Sequence, residues 1–317
     1  MQRLFRAATL VLVASLSLAF VGCGRYSVSS LRARKAFKEG NNYYVQQDYA
    51  KAAERYQETI ANDPEFTAAY FYLANSYDNL YKPSRKGEPA NDELLTKAVQ
   101  NYKLAAEKEQ DPKMRKLALE FLVAAYGPDK LADPGQAEPI ILKMIELDPS
   151  DAANYFALAK MYEDNGLYDQ AEEVLLKAKS VRPRDPDVYG QLAGFYNRLG
   201  EFEKTMEAFQ SRVEIQPDNP ENYYTLATYY WDKAFRDTKL KNPEKMDYVT
   251  KGLQSVDKAI NLKPDYAEAL VYKNLLLRLQ ANLETDPSKQ QALLKEADAL
   301  RSKAEDIRKK RAAGIGD

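Results

Sequence analysis

Histidine is missing altogether from the 317 residues. That excludes Ser-His-Asp and Cys-His catalysis, and every histidine-based zinc or iron site. Cysteine and tryptophan occur once each, as Cys23 and Trp231. The glycines are scattered singly, so no phosphate-cradling loop of the P-loop or Rossmann type is present. Alternating runs of Val, Ile and Thr are absent, and no sheet is expected. Charge of one sign is lacking too: 46 basic residues face 47 acidic ones, leaving a net charge of −1. No global field therefore favours nucleic acid. The one basic cluster, Arg308, Lys309, Lys310 and Arg311, reads as the cationic end of a helix, favoured by the macrodipole. Asp298, Glu305 and Asp306 lie among Lys and Arg and read as solvated surface. No catalytic residue, metal site or cofactor is expected, and the chain is not read as an enzyme.

What the chain has is a repeat. Tyr155, Leu158, Ala159, Tyr162, Ala171, Leu175, Ala178 and Pro183 return 34 residues later as Tyr189, Leu192, Ala193, Tyr196, Thr205, Phe209, Arg212 and Pro217. A further 34 residues bring Tyr223, Leu226, Ala227 and Tyr230. A fixed period of this length marks a solenoid, whose units bury their apolar faces only against their neighbours. Within each unit the apolar residues fall at the spacing of one helix face. Asp185-Pro186 and Asn219-Pro220 place a capping side chain before a proline at the first helical position. Asn165-Gly166 and Leu199-Gly200 fall where a first helix must stop in a left-handed cap. Ala52, Ala98, Ala137 and Ala171 sit where two helices must approach closely.

These positions resemble the tetratricopeptide repeat (TPR), with its aromatic, Leu, Tyr, Ala and Pro signature. The likeness extends back through Leu119, Leu122, Tyr126, Ala137 and Pro149 to Ala36, Gly40, Tyr43, Ala52, Tyr56 and Pro64. About a dozen residues are inserted between Tyr77 and Ala98, and about thirteen between Tyr230 and Gly252. The resemblance implies an all-α, right-handed superhelical solenoid of about six repeats over residues 33–311. A degenerate seventh unit from Ala267 and a C-terminal helix from Ser288 to Arg311 complete it, with a disordered tail at 312–317.

Residues 1–22 differ in kind. Arg3 and Arg6 precede an apolar run, Ala7 to Val21, that is too short to span a membrane comfortably. The run ends in Phe20-Val21-Gly22-Cys23, which resembles the lipobox of bacterial lipoprotein precursors, with Phe20 where leucine is usual. The resemblance implies cleavage of a signal peptide at 1–22, lipidation (palmitate included) of Cys23, and a short lipidated tether at 23–32. Lipidation also gives the lone thiol a role. Gly24, where an aspartate would signal inner-membrane retention, implies the outer membrane, with the solenoid in the periplasm.

In TPR proteins the concave groove is lined by the first helix of each pair. Carried over position by position, this implies a partner-binding groove of Phe37, Asn41, Tyr44, Phe71, Asn75, Phe156, Lys160, Asn197, Tyr224 and Trp231. The aromatics among them lie outside the packing consensus, and Trp231 is expected to bind a partner without supporting the fold. Asn41 and Asn75 carry both donor and acceptor for an extended peptide main chain. The expected partners are a protein or peptide in the groove and a membrane through the lipid, with neither nucleic acid nor a small-molecule substrate. The layout is similar to TPR lipoproteins that assemble pilus secretins or insert outer-membrane proteins. That implies a membrane-anchored protein–protein interaction scaffold for a cell-envelope complex. The alternative is a periplasmic accessory module capturing peptides, saccharides or an enzyme.

Overall fold

Proline and aspartate punctuate the chain into helices. Pro89, Pro112, Pro134, Pro186, Pro220 and Pro287 each open a helix. In the first turn a proline loses no hydrogen bond, because its missing N–H has no intrahelical partner there. Asp111, Asp133, Asp185, Asn219 and Asp286 accept backbone N–H groups of the turns that follow them. Gly166 and Gly200 take positive φ, 75° and 78°, and stop the preceding helices as the sequence leads one to expect.

A computed structural model describes residues 27–314. The signal segment, Cys23 and the last three residues lie outside the described residues. The described chain contains fourteen α-helices and no strand: α1 Val28–Val45, α2 Tyr49–Asn62, α3 Thr67–Leu80, α4 Pro89–Lys108, α5 Pro112–Ala125, α6 Pro134–Leu147, α7 Ala152–Asp164, α8 Tyr168–Val181, α9 Pro186–Leu199, α10 Phe202–Ile215, α11 Pro220–Arg236, α12 Asn242–Leu262, α13 Ala267–Leu283 and α14 Pro287–Ala312. The all-α repeat architecture is as expected. Residues 28–32 of the expected tether form the start of α1, N-capped by the Ser27 hydroxyl.

The chain divides between Asn154 and Tyr155 into two compact units. In the first, α1 packs on α2, α2 on α3, α3 on α4, α4 on α5 and α5 on α6. In the second, packing runs likewise from α8 through α14, each helix lying on the next. Ordinary repeat helices here are 13 or 14 residues long. The insertions go largely into longer helices: α4 has 20 residues, α11 has 17 and α12 has 21. Asn91, 4 % exposed, ties the loop before α4. Its Oδ1 accepts from the Lys82 amide at 2.9 Å, and its Nδ2 donates to the carbonyls of Lys82 and Arg85 at 3.1 Å.

Small residues set the distance between paired helices. Ala52, Ala98 and Ala171 are fully buried, and Tyr56 and Tyr102 fill the space beside them without any exposure. Where contact is tightest the residue is glycine. A Cβ on Gly40 would lie 2.7 Å from the Tyr56 ring, and one on Gly252 would lie 2.7 Å from Leu276. Overpacking of this kind costs about 1–3 kcal/mol. Gly40→Val is therefore expected to destabilise the chain by that amount in urea unfolding; no change would show that α1 and α2 are not in this contact.

Burial also governs the phenols. It raises Tyr56 and Tyr102 well above the ordinary 10.0, and burial followed by the Glu172 carboxylate does the same for Tyr196. Folding thus favours the protonated phenol, so this stability is complete below pH about 10 and is lost as pH rises above it. The unfolding midpoint is expected to fall steeply on that alkaline side, with tyrosinate absorbance appearing together with loss of helix. Tyrosinate forming while the helices persist would contradict it.

Candidate functional site

The expected groove residues of the first unit sit on α1 and α3, and most are turned to packing. Phe71 is 6 % exposed. Its ring meets Tyr72 and Phe121 edge-on, both at 5.4 Å. Asn75 is 4 % exposed. Its Oδ1 accepts from the Tyr44 hydroxyl and from Asn79 Nδ2, and its Nδ2 donates to the Tyr102 hydroxyl at 3.3 Å. The expectation that Phe71 and Asn75 face a partner is corrected on this point: α4 and α5 cover them with Tyr102 and Phe121. Phe37 is half-buried against Phe66, Tyr56 and Tyr72, at 4.7, 5.6 and 5.7 Å. Asn41 accepts from the Tyr56 hydroxyl at 2.8 Å. Tyr44 lies edge-on to Tyr49 and Tyr72, and burial raises its phenol pKa. The hub of the cluster is Tyr72, which sequence reasoning missed because it holds no repeat-consensus position. Beside it, Lys130 donates to the Asp78 carboxylate at 2.5 and 2.7 Å, closing the wall with an ion pair.

A cavity of about 400 Å³ in the same unit is lined by Pro112, Lys113, Leu119, Met144 and Leu147, among others, and by none of the expected groove residues.

In the second unit the expected residues divide. Lys160 is exposed and paired with Asp164 of its own helix, Asn197 is exposed on α9, and Phe156 is half-buried on α7. Tyr224 and Trp231 are brought together. Both sit on α11, and Tyr272 of α13 lies edge-on to each, at 5.4 and 5.7 Å with interplanar angles near perpendicular (87° and 88°). Burial raises the Tyr224 phenol pKa. Trp231 is half-buried over the core of Ala227, Ala234, Val249 and Val256. Phe235, one turn further along α11, stacks on it at 4.9 Å with the rings 11° from parallel. Phe235 is 58 % exposed. It was not singled out from the sequence, because it lies in the insertion; its i+4 spacing from Trp231 was the available signal.

Comparison with protein families matches the tetratricopeptide repeat at residues 37–80 and again at 140–173. Two segments of the chain thus match the repeat. Comparison with curated proteins finds no match. Among solved structures, the C-terminal part of a TPR repeat-containing protein from Cytophaga hutchinsonii is similar with a TM-score of 0.55. That likeness covers 86 % of this chain and 98 % of that one at 19 % identity, and it shows the fold. MamA is similar with a TM-score of 0.41 at 21 % identity, over 57 % of this chain and 92 % of that one. YrrB, described as a TPR protein with an unusual peptide-binding site, has a TM-score of 0.33 at 17 % identity, over 74 % and 88 %. Repeat proteins of this architecture serve as protein–protein interaction scaffolds, binding along surfaces made by successive units.

Within the second unit the Trp231–Phe235 pair is the candidate contact site. Stacked rings held from behind by Tyr272 lose little freedom on binding, and Phe235 offers apolar surface to solvent. The expectation that Trp231 binds without supporting the fold is corrected: Trp231 packs on the core and supports the fold, whereas Phe235 is open. Trp231→Ala is expected to cost about 3 kcal/mol, as for a large ring over a core, and Phe235→Ala no more than about 0.5 kcal/mol. Unfolding followed by circular dichroism measures both; equal losses would place Phe235 in the core.

Proposed function

We propose that this chain is a lipid-anchored scaffold of the cell envelope that captures a protein or peptide partner on its repeat surface. The observation that carries the proposal is Phe235, a large exposed ring stacked on the half-buried Trp231 of a first helix. Interface energy concentrates in a few aromatic anchors at rigid positions, and this pair meets both conditions. Anchoring rests on Cys23, the single cysteine, which ends the apolar run that follows Arg3 and Arg6. Several acyl chains on one residue hold a protein firmly, since each buried methylene contributes about 0.8 kcal/mol. Gly24 after the cysteine supports the outer membrane, with the repeats facing the periplasm. The partner belongs to an envelope assembly brought together at that surface.

Two measurements test the two halves. Cys23→Ser is expected to move the protein from detergent-extracted membranes into a soluble or uncleaved fraction; normal processing and retention of that variant would refute the anchor. Affinity capture from membranes with the lipidated protein is expected to recover a partner that Phe235→Ala binds about tenfold more weakly or worse, at an unchanged melting temperature. Full capture by that variant would remove the Trp231–Phe235 pair from the interface.

A further inference from the structure

The beginning of the chain has no acid at all: Glu39 is its first Asp or Glu. Four cations, Arg32, Arg34, Lys35 and Lys38, precede it within α1. The helix buries Ser30, Ala33, Ala36 and Gly40 along one side, where α2 packs. Its other side is open. Val28, Leu31, Lys35, Lys38, Asn42 and Val45 recur at alternating steps of three and four, the spacing of one helical face, and all are exposed. Val28 is 66 % exposed, Leu31 54 % and Val45 81 %. Arg32 and Arg34 flank this stripe, and among the described residues neither they nor Lys38 has an ion-pair partner. Glu39 offsets only one of the four, Lys35 at 3.9 Å, and it is shared with Arg55 at 3.8 Å.

We propose that this face of α1 docks on a membrane surface bearing anionic headgroups, with Val28 and Leu31 against the interface and the four cations among the phosphates. The proposal deepens the anchoring reading above and rests on it for the placement of α1. Charge complementarity argues for this occupant. A face with cations and exposed aliphatics fits the boundary of an anionic bilayer, where basic side chains meet headgroups and apolar ones enter the acyl edge. Chain length agrees. Four residues lie between Cys23 and Val28, so the five steps reach at most about 18 Å at full extension. A lipid on Cys23 therefore holds the start of α1 within about two Debye lengths of the headgroups. A second copy of the chain would bring the same four cations against one another, which disfavours it as the occupant. With α1 seated flat, the anchor would fix the orientation of the first unit as well as its location.

The test uses the full-length protein made in a bacterium that processes lipoproteins, with the mass of its N-terminal peptide reporting the state of Cys23. The protein is placed in vesicles of phosphatidylcholine alone or mixed with phosphatidylglycerol. Acetylation of Lys35 and Lys38 is then followed by mass spectrometry, with the exposed Lys113 and Lys177 as internal references. On the anionic vesicles at low salt, Lys35 and Lys38 are expected to react about fivefold more slowly than on neutral ones, and to recover at high salt. Arg32→Gln combined with Arg34→Gln is expected to remove most of that protection. Equal rates on both vesicles, or protection that survives high salt, would overturn the proposal. Protection in detergent that grows with protein concentration would instead assign the face to a second copy. An unmodified Cys23 would refute the anchor alone, since the difference between the two vesicles still reports on α1 itself.

Discussion

Two helices can share one apolar stripe only where one of them presents almost no side chain at the point of closest approach. Ala52, Ala98 and Ala171 meet this condition in three of the repeats, and Gly40 meets it against the ring of Tyr56. The large neighbour and the small residue act as a pair. A tyrosine fills the space that an alanine leaves, and neither would be stable beside a residue like itself. Voids forfeit dispersion contacts and excess volume forces side chains off their rotamers, so this constraint acts in both directions. Because helices within each unit satisfy it with their neighbours in the chain, such units can grow by repetition.

That arrangement bears on where function can sit. A repeat surface carries many aromatic rings, yet a ring on the wall is available to a partner only if no neighbour has claimed it. In the first unit most rings are claimed: Tyr72 gathers Phe37, Tyr44, Tyr56 and Phe71 around itself, and Asn75 uses its amide on tyrosine hydroxyls and on Asn79. In the second unit the lengthened α11 carries Phe235 beyond the turn where an ordinary repeat helix would end. An exposed ring results where the period is broken. The first helix is open for a related reason: it is the first described, so its outer face has no preceding helix among the described residues to cover it.

The polar groups follow the same logic. The buried amide of Asn91 satisfies three backbone groups of the loop before α4. The Asp78–Lys130 pair joins α3 to the loop after α5 and costs least where both groups keep hydrogen bonds. Insertions survive in a repeat array when their added backbone is paired internally, as extra helix turns or by a clamp of this kind.

Local rules made the helices legible. The period of 34 residues, the Asp-Pro and Asn-Pro starts, and the glycines after Asn165 and Leu199 each act within one turn of chain, where sterics and capping leave few choices. The same locality made Trp231 and Tyr224 recognisable as rings outside the consensus. What no local rule could decide was which rings stay open. Tyr102 covers Asn75 across 27 residues of sequence, and Tyr272 joins Tyr224 to Trp231 across a turn and a whole helix. The start of α1 at Val28, which takes in the last five residues of the expected tether, was decided by the Ser27 cap and by the side that α2 buries. Periodicity states which face of a helix is apolar; only tertiary packing settles how much of that face a neighbour takes, because the answer depends on side chains supplied from elsewhere in the chain.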